Sequence, residues 1–346
     1  MNFEEIRVGG CCSYLVACDE TCSGLLVDPE LSQIDRTLAL LSKVGVRLQY
    51  IVDTHTHADH FSAAHELARR LRVPTVMHRA SAAPYVDLRV DDGETLIAGH
   101  LRVRLLHTPG HTEDSISLVL PDRVLTGDTL LRLGTGRTDL PTGNAEALYD
   151  SLFGKLLRLD DGVAVYPGHN YKNLPVTTIG QEKAENPRLQ KRDRSSFVEQ
   201  MHALNLSMPD HLTEALRTNR TGGKTVAQLL DEAARQIAFL SMEEVQALAT
   251  AGTSDLVVVD VRERDAYEAG HIPGARHVPR GQLELRVDQL LPDPTARVMT
   301  CCEFGKISTL AAATLRILGF TRAVALDGGM KAWRDARYPT KAGKEP

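Results

Sequence analysis

Ile51-Val52-Asp53-Thr54-His55-Thr56-His57-Ala58-Asp59-His60 sets the architecture of the first half of this chain. Residues 48–52 are mostly apolar and read as a buried strand, and potential metal ligands follow at once, at positions 55, 57, 59 and 60. Residues 60–72 then repeat apolar positions with the period of an amphipathic helix. The ligands therefore sit where a core strand ends and a helix begins, a place where rigid elements hold a loop still. The same placement recurs in His107-Thr108-Pro109-Gly110-His111-Thr112, in Thr126-Gly127-Asp128-Thr129 and in Tyr166-Pro167-Gly168-His169. Each follows a β-like run, at 103–106, 123–125 and 162–165. An isolated histidine is more often a hydrogen-bonded structural residue. A series of ligand-bearing strand ends points to a metal site.

The 346 residues suffice for two domains. Hydrophobic content of 42% and charged content of 25% are those of an ordinary globular chain. A mild net charge of −5, mixed along the sequence, gives no electrostatic case for nucleic acid or an anionic membrane. No apolar run approaches the ~18 residues of a membrane span. The first residues, Met1-Asn2-Phe3-Glu4-Glu5, lack the basic and apolar regions of a signal peptide. Cysteines at 11, 12, 18, 22, 301 and 302 make a poor disulfide framework, so the expectation is reduced thiols in a cytoplasmic compartment.

Along the chain, strands are expected at 13–18 and 24–27 and a helix at 32–44, before the 48–52 strand and the metal loop. A strand at 74–78, several strands from 95 to 128, a helix at 145–159 and a strand at 163–166 follow. Strands interleaved with helices, with ligands at the strand ends, suggest a layered α/β sandwich. Residues 189–221 form a charged helical stretch, and Thr221-Gly222-Gly223-Lys224 marks a boundary. The expected division is a first domain over 1–222, a linker over 223–235 and a second domain over 236–340. In the second, helices at 241–251, 282–291 and 308–318 alternate with strands at 255–261, 297–301 and 323–326, as in a small parallel-sheet domain.

His55, His57, Asp59, His60, His111, Asp128 and His169 are the candidate ligands. Imidazole and carboxylate without thiolate suit zinc, iron(II) or manganese. The set suffices for two metals, while two histidines and a carboxylate with open positions would suit one iron that activates oxygen. The residue types alone leave both arrangements open.

The motifs T-H-x-H-x-D-H, H-T-P-G-H-T, G-D-T and G-H-N-Y, spread over about 10 to 175, resemble the metallo-β-lactamase superfamily. Within it, Gly134-Thr135-Gly136-Arg137-Thr138-Asp139 and the downstream Asn186-Pro187-Arg188-Leu189 are similar to the persulfide dioxygenases. The resemblance implies an αββα sandwich and one Fe(II) per chain held by His55, His111 and Asp128, with positions open to O2 and the substrate sulfur. His57, Asp59, His60 and His169 would then orient ligands and substrate. The alternative is a second metal at those residues, two zinc ions serving a thioesterase of the glyoxalase II kind. Arg137, on a glycine-flanked loop, offers a fork to a carboxylate of glutathione. Tyr171, beside His169, offers a hydroxyl to the cysteinyl part of the substrate.

In the second domain Cys302-Glu303-Phe304-Gly305-Lys306-Ile307-Ser308 lies between a strand and a helix, where backbone N–H groups and the helix dipole favour a thiolate and can cradle an anion. With Asp260-Val261-Arg262-Glu263, Gly270-His271-Ile272-Pro273-Gly274-Ala275 and Leu326-Asp327-Gly328-Gly329-Met330-Lys331-Ala332-Trp333, this resembles a rhodanese domain. That family's loop usually carries an arginine where Glu303 or Ile307 stands, so Lys306 is the loop's cation and thiosulfate is disfavoured as donor. The expected function is oxidation of glutathione persulfide by O2 to sulfite and glutathione, coupled to sulfur transfer on the catalytic Cys302 among thiosulfate, glutathione and persulfide. The alternative for the second domain is a rhodanese that only binds a partner. No nucleic acid or membrane is expected as a partner, and a homodimer is compatible with the sequence.

Overall fold

The computed structural model describes residues 1–251, 256–291 and 293–345, with backbone alone at 249–251, and divides into two units, Met1–Gly223 and Lys224–Pro346. In the first unit, strands Asn2–Val8, Cys11–Ala17, Ser23–Val27, Arg47–Val52, Thr75–His78 and Leu88–Val90 form one six-stranded sheet in that order. The second six-stranded sheet runs Thr177–Thr178, Ala164–Pro167, Arg123–Gly127, Ile116–Val119, Leu101–His107, Thr95–Ala98.

Side chains alternate across each strand, and the alternation builds the layers. Leu25, Val27 and Val52 point inward and meet Leu105, Ile116 and Leu125 of the other sheet. Leu26 and Ile51 point outward and are covered by Ile34, Leu41, Ala64 and Leu67, on helices Ile34–Val44 and Ala64–Leu71. Across the second sheet, Val124 and Val165 are covered by Leu148 and Leu152 of helix Ala145–Gly154 and by Phe197 and Met201 of helix Arg194–His202. The result is the expected αββα sandwich.

The helix expected over 60–72 begins only at Ala64. Residues before it are drawn into side-chain bonds: Ser62 Oγ donates to Asp53 Oδ2 at 2.7 Å and accepts from Ala64 N–H at 3.0 Å. These bonds hold the metal loop open instead of winding it into the helix. The helix expected to 159 ends at Gly154, and a single 3₁₀ turn, Leu156–Arg158, follows. The stretch 189–221 is broken into the helices Arg194–His202 and Leu212–Thr221.

The second unit holds five parallel strands in the order Ala238–Leu240, Val324–Leu326, Arg297–Cys301, Leu256–Asp260, Arg276–His277. Asp255, the first residue of the strand expected at 255–261, lies outside the described residues. Residues 223–235, expected as a linker, carry most of the helix Val226–Gln236, opened by a capping box of Thr225 and Gln228 and packed in the second unit. Its polar composition reads as a linker because only one side of it is covered. Among the described residues, no helix is long and apolar enough to cross a membrane.

Candidate functional site

Strand Arg47–Val52 ends in a buried loop whose backbone is pinned from several sides. Asp28, at the end of the neighbouring strand, accepts from Thr54 N–H at 2.6 Å and from Thr54 Oγ at 2.8 Å. Thr54 C=O accepts from Ile116 N–H at 2.7 Å. From helix Leu212–Thr221, Asn219 Nδ2 donates to the carbonyls of His57 and His60 at 2.9 and 2.8 Å, and its Oδ1 accepts from Ser62 N–H at 2.9 Å.

His55, His111 and Asp128 come together with one donor atom each, all within 4.8 Å of one another and all buried. His55 Nδ1 is bonded to Thr54 Oγ at 2.9 Å, and His111 Nδ1 donates to the Arg137 carbonyl at 2.9 Å. Both rings are thereby oriented with Nε2 toward the cluster, the arrangement that outer hydrogen bonds give metal-binding imidazoles. His55 Nε2 is buried with no protein partner, and His111 Nε2 is 3.7 Å from Asp128 Oδ2, too far for a hydrogen bond. Burial and the neighbouring His57 keep the His55 ring neutral, as a ligand must be. Two imidazoles and one carboxylate, with one donor atom each gathered in a buried pocket, fit a divalent metal. Gly136 closes the wall: a Cβ there would lie 2.0 Å from the Asp128 carbonyl oxygen.

The other four expected ligands divide between two places. Asp59, His60 and His169 gather with Cys11, again within 4.8 Å. His169 spans this group and the first: Nδ1 lies 2.7 Å from Asp128 Oδ1, and Nε2 lies 2.6 Å from Asp59 Oδ2 and 3.4 Å from Cys11 Sγ. Although burial opposes charge on the ring, Asp128 and Asp59 hold His169 protonated and Asp128 ionised. His60 Nε2 is buried and unpaired. His57 stands apart, with Nε2 3.2 Å from Asp28 Oδ1, in a cluster with Asp28 and Asp53.

Arg137 does not present a free fork. Nε and Nη2 bond the two Asp139 oxygens at 2.6 and 2.7 Å, and Nη1 donates to Ser207 C=O at 2.7 Å. Its backbone carbonyl, which orients His111, is the part that reaches the metal cluster. Tyr171 is 69% exposed and stacks on His169 with ring centroids 5.0 Å apart. The Asn186-Pro187-Arg188-Leu189 motif is a brace: Asn186 Nδ2 donates to Gly134 C=O at 2.9 Å and to Glu182 Oε2 at 2.7 Å, steadying the loop that leads into Gly136.

In the second unit Cys302 is buried after strand Arg297–Cys301, and its Sγ accepts from Ser308 N–H at 3.2 Å, in the first turn of helix Lys306–Ile317. Gly305 makes the turn at φ +83°, and Ser308 Oγ donates back to its carbonyl at 2.9 Å. Lys306 is exposed. Glu303 is held by Arg262 and Arg334.

A family model described as metallo-beta-lactamase superfamily matches residues 6–169, and one described as rhodanese-like domain matches residues 241–336. The chain is 36% identical over 214 residues to the Bos taurus protein named persulfide dioxygenase ETHE1, mitochondrial, a match covering 61% of this chain and 84% of that one. The chain belongs to the persulfide dioxygenase family. The crystal structure of ETHE1 from Myxococcus xanthus superposes with a TM-score of 0.63 at 40% identity, over 65% of this chain and 100% of that one. A hydroxyacylglutathione hydrolase of Rhodopseudomonas palustris is 37% identical over 197 residues, covering 54% of this chain and 75% of its own. A family member of this kind is an enzyme with a metal site, here followed by a rhodanese-like domain.

Several residues of this site escape a reading of the motifs. Asp28 ends strand Ser23–Val27, so the strand-end placement that marks the other ligands also marks it. Cys11 reaches His169 through a backbone bridge between positions 11 and 169, a pairing with no local signal. Asn219 lies on a polar helix with nothing in its neighbourhood to single it out.

Proposed function

We propose that the first unit oxidises glutathione persulfide with O2, giving sulfite and glutathione, at one Fe(II) held by His55, His111 and Asp128. The observation that carries this reading is the pair of imidazoles whose Nδ1 atoms are tied outward while both Nε2 atoms face one carboxylate. When bound, the iron supplies the redox chemistry that joins O2 to the persulfide sulfur. The chain's own residues place and balance charge. Asp128 neutralises part of the metal charge, and His169 holds that carboxylate in position. The exposed Tyr171 phenol stands beside His169, at hand for the cysteinyl part of glutathione. For Arg137 to take a glutathione carboxylate, the substrate must share the guanidinium with Asp139.

The second unit, on this reading, carries sulfane sulfur on Cys302, passing it among glutathione, persulfide and thiosulfate. The six free cysteines support a reducing, cytoplasm-like compartment. A second reading, a thioesterase with two zinc ions, draws support from the separate cluster of Cys11, Asp59, His60 and His169. The bond between His169 Nδ1 and Asp128 Oδ1 at 2.7 Å, which makes this ring a partner of the ligand carboxylate, favours the single-iron reading.

The test is oxygen uptake by Fe(II)-loaded protein after anaerobic addition of glutathione persulfide. Uptake near one O2 per persulfide, abolished in His111→Ala, is the expected result. No uptake by iron-loaded protein, together with two zinc ions per chain and thioester hydrolysis, would replace this reading with the second.

A further inference from the structure

Glu303 follows the sulfur-carrying cysteine, and its charge is already spoken for. Its Oε2 lies 3.3 Å from Arg262 Nη1 and 3.4 Å from Arg334 Nη1, and Arg334 Nη2 donates to Oε1. The arginines hold the Glu303 carboxyl below the usual carboxylate range, Arg334 more than Arg262. Arg262 is fully committed: Nε and Nη2 grip the buried Asp260 at 3.0 and 2.7 Å, and Nη2 also donates to Gly270 C=O at 2.7 Å. Arg334 is different. Its side chain is 44% exposed, and Glu303 is its one ion-pair partner among the described residues. The loop is fixed against the segment that carries Arg334, because Met330 and Lys331 donate their N–H groups to the carbonyls of Cys302 and Glu303 at 2.8 and 2.9 Å.

Asp260 and Glu303 thus offset Arg262 and Arg334, and this corner of the sulfur site is neutral. The remaining side chains of the loop are exposed: Lys306, and the apolar Phe304 and Ile307. We propose that Glu303 is an internal carboxylate that masks Arg334, so that Cys302 takes sulfur from thiol persulfides in preference to oxyanion donors such as thiosulfate. The proposal rests on the reading of Cys302 as the sulfur carrier.

The chemistry separates the two donors. With a persulfide RS–SH, the Cys302 thiolate attacks the outer sulfur, the new S–S bond forms, and the old one breaks with its electron pair leaving on RS⁻. The outer sulfur keeps its proton, and the single charge on RS⁻ is quenched by taking up a proton from water. With thiosulfate the same displacement expels sulfite, which carries two negative charges and needs a fixed cation beside it. On this proposal Arg334 is the cation available for that role besides the exposed Lys306, and Glu303 occupies it.

The experiment measures sulfur loading of Cys302 in the full-length protein, by intact mass and peptide mapping, at varied concentrations of glutathione persulfide or thiosulfate. The wild type is expected to favour persulfide by roughly tenfold or more in kcat/KM. Glu303→Ala, and the isosteric Glu303→Gln, shift the ratio toward thiosulfate by a similar factor, and adding Arg334→Ala removes the gain. Equal loading of the wild type by both donors, or an unchanged ratio in both Glu303 variants, overturns the proposal. Cys302→Ser reports separately on the underlying reading: sulfur that still loads onto this variant at the wild-type rate shows that Cys302 is not the carrier, and the selectivity argument falls with it.

Discussion

His169 Nδ1 lies 2.7 Å from Asp128 Oδ1, so the one carboxylate of the proposed iron site is held by a ring that does not itself face the other two donors. A partner of this kind fixes the ligand's orientation and keeps it ionised. His169→Ala is expected to weaken Fe(II) binding by roughly 10–100-fold. A competition titration against a chelator reads this directly, and an unchanged affinity would count against the positioning role.

Asn219 ties the metal loop to a helix far along the chain through three hydrogen bonds. Asn219→Ala leaves the His57 and His60 carbonyls and the Ser62 N–H without that partner. The expected cost is on the order of 2–3 kcal/mol of stability, read as a lower denaturation midpoint, accompanied by reduced iron retention. A variant with wild-type midpoint and iron content would show that water takes over these bonds.

Glu182 is fully buried and receives Arg132 Nη1 at 2.9 Å, Leu133 N–H at 3.0 Å and Asn186 Nδ2 at 2.7 Å. Glu182→Ala strands these donors beneath the loop that carries Gly136. With Arg132 still paired to Glu185 at 2.9 Å, the donors of Leu133 and Asn186 left without this partner cost roughly 2–3 kcal/mol. Thermal unfolding should show a large loss, and O2 uptake should fall because the His111-orienting carbonyl of Arg137 lies on the same loop.

Metal removal offers a different readout. The proposed donors need an ion to bring their inward lone pairs together, so iron should stabilise the folded chain. Free Fe(II) at about a hundred times its dissociation constant should add roughly 2.7 kcal/mol to the unfolding free energy. The increment should vanish in His111→Ala. Stabilisation that persists in this variant would place the iron elsewhere.

Acid should erase part of the Glu303 contribution. Hydrogen bonding to Arg334 and then to Arg262 lowers the Glu303 pKa in the folded state. Its share of stability is therefore fully present above the unfolded value, about 4.3, and is lost as pH falls through the folded one. Unfolding of the wild type and Glu303→Gln should differ near neutral pH and converge on acidification below that range. A difference that stays constant with pH would mean that charge pairing is not what Glu303 contributes.

The alternation of strands and helices around the metal loop, the strand-end position of the candidate metal donors and the Cys302 turn were legible in the residues. Each is a local property: side-chain period is written in a few neighbouring positions, and a ligand at the end of an apolar run is visible without knowing what lies beside it. The family motifs at 55–60, 107–112, 127–139 and 302–308 are contiguous for the same reason. The strands Asn2–Val8, Ala238–Leu240 and Arg276–His277 and the helix Ile179–Glu185 were not expected, and other differences concern boundaries. The helix starts at Ala64 because Asp53 and Asn219 hold the residues around Ser62, and 223–235 is a helix despite its polar composition.

Only the tertiary structure decided how the donors are grouped. Seven ligands in sequence could serve one metal or two, and folding separates His55, His111 and Asp128 from the Cys11 and His57 clusters. It also decided which ring nitrogen faces inward, because the carbonyl that orients His111 belongs to a residue 26 positions away. Glu303 reads in sequence as an acid spoiling an anion site, and the fold makes it one member of a neutral group with Asp260, Arg262 and Arg334. Hydrogen bonds and ion pairs act over a few ångströms, and the residues that meet over that distance are chosen by the packing of sheets and helices.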